Sequence, residues 1–153
     1  LSVFKKHYAI HCNDKTKPYE GIVEVLDELL DGGYKLAIVS NKFDAAVKEL
    51  NHIYFGERIQ TAIGESEKVR KKPAPDTVYQ ALAELSVNAD NAIYVGDSDV
   101  DLATAYNVPM SCISVTWGFR SPEQLLEAGA SEALMIDSPC QLLPILERLK
   151  LEG

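Results

Sequence analysis

The chain has 153 residues, 46% of them hydrophobic and 25% charged, a balance that fits one soluble domain with a real core. Its formal charge of -8, from 23 acidic against 15 basic residues, argues against a nucleic-acid partner, which would draw on a basic face. No apolar run approaches the ~18 residues that a membrane span needs, so no membrane partner is expected. Cys12, Cys112 and Cys140 are widely spaced with no CxxC pair. Neither a disulfide framework nor a zinc site is indicated, and a cytoplasmic setting is expected.

The first twenty residues are the compositional outlier, with aromatic and basic residues, two of the three histidines, and then "KTKPYEG", where Pro18 favours an extended or turning chain. "GIVEVLDELLD", 21–31, places Ile22, Val25, Leu26, Leu29 and Leu30 at helical spacing, with Gly32-Gly33 as the stop. "YKLAIVS", 34–40, is the near-continuous apolar run of a parallel strand buried on both faces. The alternation continues through "FDAAVKELN" (helix), "IQTAIG" (strand), "DTVYQALAELS" (helix), "NAIYVG" (strand), "DLATAYNV" (helix) and "MSCISVTW" (strand). "SPEQLLEAG" and "SPCQLLPIL" each combine a Ser N-cap, Pro at N1 and Gln at N3, with "EALMI" as a strand between them. Pro144 is expected to disturb the last helix by removing a ladder bond from its interior. Strands separated by such helices read as βαβ units, so the fold class is α/β, a parallel sheet with helices on both faces.

In such a sheet ligands gather at the carboxyl ends of the strands. There "VSNK", 39–42, puts Ser40 and Asn41 at a strand end before a helix, where phosphate oxygens can meet a hydroxyl and helix N–H groups; Ser40 or Asn41 as a plain helix cap is the simpler alternative. "KKPAPD", 71–76, holds lysines on a loop stiffened by two prolines, as an electrostatic clamp on a phosphoryl group requires; a solvated basic stretch is the rival reading. "GDSDVD", 96–101, puts three carboxylates into six residues after a strand. One would serve the helix dipole, as Asp99 can, but Asp97 and Asp101 together repel each other unless a cation lies nearby, and hard Mg²⁺ with oxygen ligands suits them. His7, His11 and His52 have no mutual spacing that suggests a metal face; Trp117 and Phe119 either wall the pocket or pack on the domain. An acidic chain can bind a small phosphorylated metabolite if a metal ion, a lysine and backbone N–H groups supply local positive potential.

"VSNK", "KKPAPD" and "GDSDVD", in that order, resemble motifs two, three and four of the haloacid dehalogenase superfamily, and the surrounding text, with "PYEGI" and "SVTWGF", is similar to its phosphoglycolate phosphatase-like branch from about Tyr19 to Leu146. The resemblance implies a three-layer Rossmann-like core and phosphomonoester hydrolysis with Mg²⁺. Ser40 and Asn41 would hold the phosphate and Lys72 would neutralise phosphoryl charge. Asp97 would be a metal ligand, and Asp101 would orient Lys72 or the metal's waters. In the family an aspartate attacks phosphorus and a second, two residues later, is acid and then base, both in a motif resembling "DxDGT" after the first strand.

That motif is absent before Ser40, where "CNDKTK" is polar and "LDELLD" is helical. Residues 1–20 look like the tail of a helical cap plus a linker, and 21–153 like an incomplete core. The first, central strand is expected to be missing, so the chain reads as an inactive fragment of a phosphatase. The alternative is a non-catalytic phosphate-binding or regulatory domain that has lost the nucleophile. Since unpaired main-chain groups in mid-sheet cost about 1–3 kcal/mol each, the gap is expected to be met by the missing N-terminal segment as a separate piece, a rearranged sheet or a strand swapped from a second copy. A continuous sheet in family order, made from residues 1–153, would refute this.

Overall fold

The computed structural model describes residues 2–6, 21–118 and 120–152. Six strands, β1 (Ser2–Lys6), β2 (Lys35–Phe43), β3 (Thr61–Glu65), β4 (Ala92–Gly96), β5 (Cys112–Val115) and β6 (Met135–Ile136), pair in parallel in the order β3-β2-β1-β4-β5-β6. Between and after them lie α1 (Ile22–Asp31), α2 (Asp44–Phe55), α3 (Asp76–Leu85), α4 (Asp99–Asn107), α5 (Pro122–Glu127) and α6 (Leu142–Glu152). Because side chains alternate along a strand, β2 sends Leu36 and Ile38 to one face and Ala37 and Val39 to the other, and β4 does the same with Ile93 and Val95 against Ala92 and Tyr94. The first face packs against α1, α2 and α6, the second against α3 and α4. This is the three-layer α/β fold expected from the alternation.

Local sequence explains the element ends. α1 buries Ile22, Val25, Leu26 and Leu29 as one stripe, and it stops where Gly32 N–H bonds back to the Glu28 and Leu29 carbonyls and Gly33 takes a left-handed φ of 87°. Ser121 and Ser138 each form the expected capping box, with Gln124 and Gln141 respectively.

Three expectations are corrected. The centre of the sheet is not vacant: β1 pairs with β2 on one side (Val3 with Leu36) and β4 on the other (Val3 with Ile93). Ladder bonds are made by the main chain, so any extended segment can satisfy the neighbouring N–H and C=O groups, whether or not it carries a catalytic aspartate. Of residues 1–20, assigned by sequence to a cap tail and linker, 2–6 thus belong to the core sheet, while 7–20 lie outside the described residues. Pro144 does not break the last helix. A 3-10 turn at Pro139–Gln141 precedes α6, so Pro144 falls in the first turn of α6, where an N–H has no intrahelical acceptor to lose. Finally, β2 runs past Ser40 to Phe43, with a shift in its register to β3 between Val39 and Phe43.

Candidate active site

The carboxyl edge of the sheet brings together the end of β2, the loop after β3, the end of β4 and the start of α4. Ser40 is 2% exposed, and its hydroxyl accepts a bond from Lys42 N–H at 3.2 Å. Beside it, Asn41 uses both ends of its amide on one residue: Oδ1 accepts from Lys72 N–H at 2.7 Å and Nδ2 donates to the Lys72 carbonyl at 3.3 Å. Asn107 of α4 donates to the Pro73 carbonyl at 2.8 Å, so the "KKPAP" loop is tied from two elements. Arg70 and Asp76 close its outer side with two side-chain bonds, of 2.7 and 3.0 Å, and this pairing holds the Asp76 carboxyl down to about 2.

Lys72 is thereby carried inward, its side chain only 1% exposed, and its ammonium donates to Asp101 Oδ1 at 3.0 Å. Asp101 is fully buried. Its Oδ1 also accepts from the Tyr94 hydroxyl at 2.7 Å, and its Oδ2 accepts from Asp97 N–H at 3.0 Å and the Ser98 hydroxyl at 3.1 Å. A carboxylate offers about four lone pairs, and the protein engages each with a donor. Ser98 caps α4, its oxygen accepting from Asp101 N–H, so the first turn of the helix fixes the aspartate's position.

Two glycines make room for these acids. A Cβ on Gly96 would sit 2.3 Å from Asp101 Cβ, and one on Gly118 would sit 2.3 Å from Asp97 Oδ2. Asp97 is fully buried, with Gly118 against its carboxylate, and its carbonyl accepts from Arg120 N–H at 3.2 Å. Arg120 reaches Asp99 at 3.1 Å, so Asp99 stands outside the cluster as an exposed partner, which agrees with the dipole role that sequence allowed it.

Sequence therefore pointed to Ser40, Asn41, Lys72, Asp97 and Asp101, and the structure brings all five to one edge. It did not point to Tyr94, Ser98, Asn107, Gly96 or Gly118. Tyr94 alone had a usable signal: a tyrosine inside an apolar strand must find a partner for its hydroxyl. Trp117 packs against the core, with its indole N–H unpartnered among the described residues. His52 is exposed on α2, while His7, His11 and Phe119 lie outside the described residues.

Asp97 presents a hard oxygen donor, with Gly118 packed against its carboxylate. Among the described residues there is no group of three or more His, Cys, Asp or Glu side chains that could hold a metal ion. A single hard carboxylate suits a cation that fills the rest of its shell with waters and substrate oxygens, as Mg²⁺ does. Among the described residues no helix is long and apolar enough to cross a membrane.

Residues 1–115 match the model of the haloacid dehalogenase-like hydrolase family. The chain is 30% identical over 148 residues to a pyrophosphatase PpaX of Listeria welshimeri, covering 95% of this chain and 67% of that protein. It is 32% identical over 120 residues to a phosphoglycolate phosphatase of Aquifex aeolicus, covering 78% and 56%. The fold superposes with a TM-score of 0.82 on a crystal structure from Lactobacillus delbrueckii subsp. bulgaricus, a protein provisionally assigned as a phosphoglycolate phosphatase. Identity there is 41%, over 88% of this chain and 56% of that one. The chain thus spans a little over half to two thirds of these proteins' lengths. With the matched family model and the strand-end lysine and aspartates in one cluster, the chain belongs to the haloacid dehalogenase-like hydrolase family.

Proposed function

We propose that this chain is the phosphoryl-binding core of a Mg²⁺-dependent phosphomonoesterase that acts on a small phosphorylated metabolite of the phosphoglycolate kind. The observation that carries the reading is the buried Lys72–Asp101 pair at 3.0 Å, beside Asp97 and at the end of β2. A buried ion pair is weak evidence for stability as such. At the carboxyl ends of the strands, with Asn41 clamping the lysine's backbone, it suits a fixed cation for a phosphoryl group.

The Ser40 hydroxyl and the main-chain N–H groups around Asn41 receive phosphate oxygens, and Lys72 neutralises charge on the phosphoryl group. Asp101 acts through Lys72 as a positioning residue, because its lone pairs are turned to Lys72, Tyr94, Asp97 N–H and Ser98. Asp97 is assigned as the metal ligand; Mg²⁺ when bound supplies Lewis-acid charge to the phosphoryl oxygens. In the family reading an aspartate attacks phosphorus and a second aspartate transfers protons. Neither is among the described residues at the end of β1, where the sequence continues Lys6-His7-Tyr8.

That last observation favours a second reading, a phosphate-binding domain without turnover. Phosphate release from small phosphomonoesters in Mg²⁺ by the full-length gene product, with Asp97→Asn as control, decides between them. Turnover lost in Asp97→Asn supports the enzyme. Mg²⁺-dependent phosphate binding without any turnover that Asp97→Asn reduces supports the binder. No phosphate binding in either protein would overturn both.

A further inference from the structure

Next to the phosphoryl-binding edge lies a hollow of about 290 Å³ lined by Asn41, Lys42, Phe43, Ala46, Leu50 and Glu65. It lies where the register between β2 and β3 shifts, between the Val39–Ile63 and Phe43–Glu65 pairs. Ala46 and Leu50, four apart on α2, give one wall, and Phe43, 75% exposed, gives another. Lys42 and Glu65 put one charge of each sign on the rim. The hollow and the phosphoryl site share a residue, since Asn41 lines the first and holds Lys72 by two hydrogen bonds. Its volume is at the small end of ligand pockets, which run from about 300 Å³ upward.

We infer that this hollow receives the organic alcohol portion of the substrate, so that the preferred ligand is the phosphate ester of a small alcohol with an apolar body, and inorganic pyrophosphate is disfavoured. The inference rests on the phosphomonoesterase reading and extends it to the leaving group. Pyrophosphate places a second phosphoryl group where an ester places carbon. In this hollow that anion meets the apolar side chains of Phe43, Ala46 and Leu50 and the Glu65 carboxylate, which repels it; of the polar lining side chains, Asn41 is already engaged with Lys72, which leaves Lys42 to attract it. An alcohol with an apolar body loses little on entering, and it covers an aromatic side chain otherwise left in water.

The test uses the chain with Mg²⁺ and three probes, inorganic phosphate, pyrophosphate and phenyl phosphate, followed by backbone amide NMR shifts and Kd. Phenyl phosphate is expected to shift Ser40 and Lys72 together with Phe43, Ala46 and Leu50, and to bind about 10-fold tighter than inorganic phosphate, while pyrophosphate gains no such advantage. Ala46→Phe, which fills the hollow from a half-buried helix position, should remove the 10-fold advantage and leave the Kd for inorganic phosphate unchanged. Phe43→Ser, at an exposed position, provides a second variant with the same expectation if Ala46→Phe fails to fold. The inference is overturned if phenyl phosphate binds no tighter than phosphate, if its advantage survives the folded variant, if pyrophosphate binds as tightly, or if the hollow's amides respond to protein concentration instead of ester. Absence of any phosphate shift at Ser40 and Lys72 is a different failure: it removes the phosphoryl-site reading, and this inference with it.

Discussion

Replacing Asp101 by Asn tests the centre of the site most directly. The carboxylate and the Lys72 side chain are 0% and 1% exposed, so solvent cannot screen the loss of the charge. Asn keeps one oxygen and turns an NH₂ toward two of the four donors that Asp101 now satisfies, either Lys72 and Tyr94 or Asp97 N–H and Ser98. Breaking a buried pair by removing one partner costs about 3–5 kcal/mol. The mispaired neutral donors act within the same network, so their cost does not simply add. With a urea m-value of about 2 kcal/mol/M, the unfolding midpoint should fall by roughly 2 M at unchanged slope. Adding Lys72→Met should recover part of the loss, with a coupling above about 1 kcal/mol in the double-mutant cycle. A midpoint shift under about 0.5 M, or strictly additive effects, would show that this pair does not organise the site.

Gly118→Ala should destabilise the fold by about 1–3 kcal/mol, because its Cβ would lie 2.3 Å from a buried Asp97 oxygen, and should weaken Mg²⁺ binding; an unchanged melting curve and Mg²⁺ titration would contradict this. Burial, with the Asp101 charge adding to it, pushes the Cys112 thiol up to about 12. At pH 8 iodoacetamide should therefore label exposed Cys140 while sparing Cys112 in the folded protein, and comparable labelling by peptide mass mapping would refute the assignment. Burial and the bond to Glu147 raise the Tyr34 hydroxyl to about 12. A group whose pKa is raised on folding stabilises below its unfolded value, so this contribution is present below pH ~10 and fades as pH rises toward 12. Tyr34→Phe should lose less thermal stability than the parent across that range, and identical pH profiles would exclude the effect.

The alternation of apolar runs with amphipathic helices was enough to read the fold, because a strand buried on both faces and a helix with one buried stripe leave different periods. The residues proposed for the site, 40, 41, 72, 97 and 101, stood out in the sequence because they put polar side chains after apolar strand-like runs or on a proline-stiffened loop, and the structure gathers them at one edge of the sheet. What was hidden depends on contacts far apart in sequence. The Asn41 amide was read as a phosphate ligand or cap, but its partners are 31 residues away. Gly118 has no local peculiarity; its necessity comes from Asp97, just past the end of β4. The occupied centre of the sheet was missed for the opposite reason. Pairing there is a property of the main chain and needs no aspartate.

The amide of Asn41 also has a mechanical role. By engaging both the N–H and the C=O of Lys72 it behaves like one more rung of the sheet, made by a side chain. Lys72 follows β3 in sequence but is fastened to β2, the strand that carries Ser40. The stretch between β3 and Lys72 closes on itself instead, with Ser66 and Val69 exchanging main-chain bonds. Displacement of that outer stretch should therefore leave the lysine in step with the serine, so that the Ser40 hydroxyl and the Lys72 ammonium move as one rigid body.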